Sequence, residues 1–178
     1  AAVNAYNCQV AGEVSDGLML HSLTSPEYVR QVVRPALDKG AQKAGRDSRA
    51  LKITGGGFII TGPDRSSIRT MQAEVRRRIA FYASTRSYFP VLEAHGFQEI
   101  GQQLHEMSLK GQWAEMGELV SDKMLGALPV SVEYDVTADK FVERYSGLLD
   151  EVSFTLVSEK QPEEAQMRKM VRRLQELD

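Results

Sequence analysis

The chain has 178 residues, 42% of them hydrophobic and 26% charged, with a formal net charge of −2 and an isoelectric point near 6.0. That balance fits one ordinary globular domain and gives no electrostatic reason to expect nucleic acid or an acidic membrane surface as a partner. The single cysteine, Cys8, excludes an internal disulfide; no apolar run nears the roughly 18 residues of a membrane span, no signal peptide is visible, and a cytoplasmic protein is the default expectation.

Ala1 to Val3 reads as the end of a strand, followed by a short loop and a helix on which Val10, Ala11 and Val14 face one way. Asp16-Gly17 is a turn signal into the apolar run that ends at His21. Ser25-Pro26 starts the next helix, with Ser25 as N-cap and Pro26 at the first helical position. Its apolar stripe runs to Gly45 and includes Pro35, where a kink or restart is expected. Ala50 to Thr61 reads as a buried strand interrupted by Gly55-Gly56-Gly57. Those glycines lack the Lys-Ser/Thr of a phosphate loop, leaving a bulge or a close backbone approach as readings.

Asp64 caps a long helix with Ile68, Met71, Val75, Ile79 and Tyr82 in register. The run Arg76-Arg77-Arg78 on it reads as a solvated face. Residues 84–128 read as a helical excursion: Tyr88 to His95, Phe97 to Leu109 and Trp113 to Leu125. Thr137 to Tyr145 is an amphipathic helix with Phe141 and Val142 inward, Val152 to Val157 a last strand, and Glu163 to Leu177 a terminal helix. Strands alternating with long helices imply a parallel sheet. Four strands would leave an edge and a face bare, so the count suits the C-terminal part of an eight-stranded barrel, and poor solubility or homodimerisation through exposed edges is expected.

Two places invite chemistry. Asn4-Ala5-Tyr6-Asn7 lies where a strand ends and a helix begins, and the unpaired first-turn amides make such a point an anion seat, or else an unremarkable capped turn. His21 stands at the C-terminal end of a buried strand with Ser22 beside it. Its imidazole suits acid/base work, or holding an anionic substrate, or a plain structural role. His95 and His105 read as structural. Phe81, Tyr82, Tyr88 and Phe89 line a pocket or pack the excursion. Paired carboxylates, a Ser-His-Asp order and metal-ligand spacing are absent from the sequence.

The segment AAVNAYNCQVAGEVSDGL resembles the pattern Ala-Ala-x-Gly-Pro-x-Met-x-x-x-Ala-Gly-Glu-x-x-Asp-Gly of luciferase-like oxidoreductases, matching at Ala1, Ala2, Ala11, Gly12, Glu13, Asp16 and Gly17. SPEYVRQVVRPALDKGAQKAGRD, GGFIITG, RRRIAFYASTRSYFPVLEAHGF and ERYSGLLDEVSF resemble the deazaflavin-dependent branch, collinearly over nearly the whole chain. The resemblance implies a TIM (β/α)8 barrel, with residues 1–178 as one domain forming its C-terminal part and 84–128 as an insertion after the seventh strand. It implies hydride transfer between coenzyme F420 and a small organic substrate, with FMN and a monooxygenase reaction as the alternative. The backbone of Val3, Asn4, Ala5 and Tyr6 would hold the cofactor phosphate, although Asn4-Ala5 replaces Gly-Pro; His21, Ser22, Tyr82, Ser84, Thr85 and Arg86 would line the substrate pocket. The acid/base group would lie outside this part, which alone would be inactive. A complete, non-catalytic α/β binding module stands as the reading from another class.

Overall fold

The computed structural model describes residues 1–153, 155–156 and 164–177. Ala2 makes a parallel bridge to Leu20, and the first elements are α1 (Ala5–Val14), β1 (Gly17–Met19) and α2 (Pro26–Tyr28). A π-helical turn at Val29–Val33 carries α2 into α3 (Arg34–Lys43). Pro35 therefore sits in the first turn of a restarted helix, the position a proline tolerates best. β2 (Lys52–Gly55) and β3 (Phe58–Gly62) lead into α4 (Arg65–Ala83), α5 (Phe89–Glu93), α6 (Gln98–Leu109) and α7 (Asp122–Ala127). Next come β4 (Val130–Glu133), α8 (Thr137–Tyr145), β5 (Glu151–Val152), β6 (Thr155–Leu156) and α9 (Glu164–Glu176). The expected ends of the last strand and helix, Val157 and Glu163, lie outside the described residues.

Among the described residues every pairing is parallel, as the alternation implies, but the strands form two sheets, in the orders β1-β2-β5 and β4-β3-β6. The expected strand 50–61 is broken at Gly56-Gly57. Gly57 has φ +72°, a conformation L-residues rarely adopt. A side chain at Gly56 would strike the Phe141 ring and the Ser153 carbonyl, both at 2.8 Å, so bulge and close approach coincide. β1 pairs with the run before the break and β4 after it. β4 went unread in the sequence because Val130-Ser131-Val132-Glu133 is only four residues long. Trp113 to Leu125 is also not one helix: a 3-10 turn at Met116–Leu119 precedes α7, which Ser121 caps.

The family-like pattern around Gly12 and Gly17 has a packing explanation. A Cβ on Gly12 would lie 2.1 Å from the Leu37 carbonyl oxygen, and one on Gly40 1.9 Å from that of Gln9. Helices α1 and α3 thus touch backbone to backbone. Glu13 clasps Lys43 at 2.9 Å, Arg46 donates to the Gly12 carbonyl at 3.1 Å, and Gly17 lets β1 lie against Lys52. The inward face of α1 is consequently Cys8 and Gly12. Val10 and Val14, read as sharing one face with Ala11, are exposed, as is Tyr6. The principal core lies between the β1–β2 sheet and α2–α4 and includes Leu18, Ile53, Val75 and Ile79; a smaller one joins Ile59 and Val130 to Phe141 and Tyr145.

Candidate functional site

Because β1, β2 and β5 are parallel, the chain leaves all three at the same end of their sheet. The Ala2–Leu20 bridge places Val3 to Tyr6 beside His21 and Ser22 at that end. Asn4 caps α1, accepting the Asn7 amide at 2.9 Å through Oδ1, while its carbonyl takes the Cys8 amide at 3.0 Å. Its backbone is extended, φ −80° and ψ 160°, so the residue in place of glycine needs no left-handed conformation. The cap leaves the Ala5 and Tyr6 amides as first-turn donors with no acceptor inside the helix. Both residues are exposed, and no acidic side chain occupies that turn. The positive end of a ten-residue helix thus faces outward with two donors available. Val3 contributes differently: its carbonyl is turned inward and accepts the Tyr28 hydroxyl at 2.8 Å. Burial raises the pKa of that phenol, which stays a donor.

His21 is half-buried directly after Leu20. The Leu23 amide donates to its Nδ1 at 3.0 Å, so Nδ1 carries the lone pair and the proton of the neutral ring is on Nε2. Tyr82, near the end of α4, packs edge-on at 4.4 Å between ring centroids, and Tyr88 lies at 4.8 Å. Phe58, first residue of β3, stacks behind Tyr82 at 6.3 Å. Burial holds the imidazole below its usual pKa, which favours the neutral form and weighs against its holding an anion.

Of the expected pocket residues, then, the structure brings His21 and Tyr82 into contact. Ser22 follows at the same end, half-buried, with its carbonyl facing Gly57. Ser84 is buried as the cap of α4, its hydroxyl donating to the Phe81 carbonyl at 2.7 Å. Thr85 and Arg86 are exposed on the following turn. Tyr28 was missed by sequence reasoning, and its place three residues after a capping serine is no clue to a partner 25 positions upstream. Tyr88 had an aromatic signal, but only the fold shows it meeting His21.

The other histidines fasten the excursion. His95 Nε2 lies 2.7 Å from the Oγ of Ser25, which caps α2, and His105 Nδ1 lies 2.8 Å from the Ser84 carbonyl. A separate open cleft of about 420 Å³ is lined by Arg77, Arg78, Phe81, Tyr82 and Trp113. Among the described residues no group of three or more His, Cys, Asp or Glu side chains is placed to hold a metal ion, and no helix is long and apolar enough to cross a membrane.

Comparison with known proteins bears on this geometry. Residues 1–151 match the family model of luciferase-like monooxygenases. An uncharacterized protein of Mycobacterium tuberculosis H37Rv is 37% identical over 152 residues, covering 85% of this chain and 45% of that protein. The 5,10-methylenetetrahydromethanopterin reductase of Archaeoglobus fulgidus is 25% identical over 145 residues, 79% of this chain and 41% of the reductase. Among solved structures, the coenzyme F420 dependent tetrahydromethanopterin reductase from Methanopyrus kandleri superposes with a TM-score of 0.71 at 22% identity, over 96% of this chain and 47% of that one. An F420-dependent secondary alcohol dehydrogenase, in complex with an F420–acetone adduct, gives 0.54 at 16% identity, over 89% and 42%. The chain spans about half the length of the curated relatives it matches.

Proposed function

The chain belongs to the luciferase-like monooxygenase family, and from that premise we propose that it serves an oxidoreductase that transfers hydride between coenzyme F420 and a small organic substrate. One observation carries the reading: two unspent first-turn amides of α1 lie beside His21 at the end where the parallel strands finish. F420 carries a phosphate on its side chain, and an exposed helix N-terminus free of acidic residues suits a phosphate. Tyr28 fixes the turn by holding the Val3 carbonyl inward, and Asn4 fixes it by capping. The bound deazaflavin would supply the hydride chemistry; these residues bind and orient its tail. His21, Ser22 and Tyr82 then face the substrate, with Thr85 and Arg86 at the rim and Ser84 capping the helix that carries Tyr82. The relatives whose names state a cofactor dependence or a reduction support this choice.

Tyr6→Glu tests it with a charge. A carboxylate in the first turn suits the helix dipole, and the side chain at this position is exposed, but the carboxylate occupies and repels the seat of a phosphate. F420 binding, followed by fluorescence, should weaken by roughly 10–100-fold, the worth of a hydrogen bond to a charged group, while the unfolding midpoint does not fall. Unchanged F420 affinity in this variant, or tight FMN binding with none for F420, refutes the proposal.

A further inference from the structure

We propose that His21 is a neutral hydrogen-bond donor to an uncharged substrate oxygen, a carbonyl or hydroxyl, and is neither an anion hook nor a proton acceptor. The inference rests on the reading above for placing substrate at this end of the sheet; the assignment of the ring itself does not.

The argument begins with the main chain. Just after β1, the Leu20 amide still donates to the Thr54 carbonyl of β2 at 2.8 Å. Two residues beyond His21 the backbone turns the Leu23 amide onto Nδ1 at 3.0 Å. Leu23 is buried, and a buried amide left without an acceptor is costly. Turning the ring over would set a carbon against that amide, so the bond also fixes which face of the imidazole points outward. Tyr82 and Tyr88 close on the ring at 4.4 and 4.8 Å and restrict its rotation.

What remains is Nε2–H. It has no partner among the described residues, and it is not one of the buried polar atoms left unsatisfied. A second proton would have to enter at Nδ1, in place of the lone pair that serves Leu23. Among the described residues no ion pair reaches the ring, and its aromatic neighbours are two tyrosines. The group is therefore a fixed donor of one hydrogen bond. Reducing a carbonyl takes one hydride and one proton. His21 supplies neither: losing Nε2–H would leave an imidazolate. Its part is to hold and polarise the oxygen, and the proton comes from another group or from water.

Histidine-selective 15N NMR, with His21→Gln identifying the resonances, reads the assignment directly. At pH 7 His21 should show a protonated Nε2 and an unprotonated Nδ1. With F420 present, 2-butanone should shift the Nε2 resonance and butyrate, of equal carbon count, should not. His21→Phe should weaken ketone binding roughly tenfold, while His21→Gln, which keeps a donor near Nε2, recovers most of it. An imidazolium or an Nδ1–H tautomer at pH 7, a response to butyrate instead, or no response to either probe overturns the inference. Normal F420 binding alongside any of these sinks the role of His21 alone. Loss of F420 binding with the His21 signature intact sinks the hydride-transfer reading instead.

Discussion

Replacing Gly40 by alanine tests the backbone contact that holds the proposed cofactor seat. In an exposed helix interior the exchange should stabilise, since alanine exceeds glycine in helix propensity by about 0.8–1.0 kcal/mol. Here the new methyl would sit 1.9 Å from the Gln9 carbonyl oxygen and 3.1 Å from the Glu13 amide nitrogen. Real Cβ contacts stay beyond about 3.0 Å, so α1 must retreat by about 1.1 Å. Both obstructions are main chain and cannot rotate away. Overpacking of this kind costs roughly 1–3 kcal/mol, at the upper end when a backbone must move. After the propensity gain, a net loss of about 1–2 kcal/mol is expected, or roughly 2–8 °C in Tm for a chain of this size. Urea unfolding should show a lower midpoint at unchanged slope, and F420 affinity should fall as α1 shifts. Gly126→Ala is the control: nothing lies within 4 Å of its Cβ position in α7, so it should be neutral or stabilising by up to about 1 kcal/mol. If Gly40→Ala stabilises as Gly126→Ala does, the close approach of α1 and α3 is wrong.

Other substitutions probe the surroundings. Tyr28→Phe removes the donor to the Val3 carbonyl; a loss of about 1 kcal/mol and weaker F420 binding are expected, and wild-type behaviour in both would deny Tyr28 its part in fixing the turn. Cys8 is fully buried and its thiol is pushed up to about 11, so a thiol reagent at pH 8 should label the protein only on unfolding; rapid native labelling contradicts that. Burial lowers the pKa of His95, while Glu27 opposes the shift. The unfolded chain therefore takes up the proton first. Stability is full above the unfolded value near 6.5 and declines as pH falls below it, by at most about 1.4 kcal/mol per pH unit before solvent screening. His95→Asn should flatten that acid limb in a pH series of urea midpoints, and an unaltered limb refutes the assignment. Arg76 donates to the Val120 carbonyl and pairs with Asp122, so Arg76→Met should lower the unfolding free energy from urea titration by about 1–2 kcal/mol, whereas a freely solvated arginine would leave it unmoved.

The parallel α/β character and the long helices were legible because burial imposes period and length on a sequence. Asp64 and Ser25 announced their helices through their own side chains, and both cap as expected. What stayed hidden depends on contacts far apart in the chain. The inward face of α1 follows from Gly12 and Gly40, which carry no hydrophobic signal, so the shared face of Val10, Ala11 and Val14 did not show which side packs. The split at Gly56-Gly57 was visible as glycine, but its result, two sheets sharing one run, needed the partners β4 and β6. At the site, the turn after Val3 and the position of His21 could be read from strand ends. The protonation pattern of His21 could not, because it is set by an amide whose direction only the folded loop determines.

The break at Gly56-Gly57 also bears on how this scaffold can be altered. β4 closes the excursion and hydrogen-bonds to β3, so residues 84–128 do not hang from the sheet as a detachable loop. A graft exchanging them for a relative's segment would have to preserve Val130 to Glu133 in register with Ile59 to Gly62, or leave a strand edge bare. The C-terminal boundary of any such exchange is thereby fixed by sheet pairing, at Val130 to Glu133, and at its N-terminal boundary Tyr88 must keep its packing on His21.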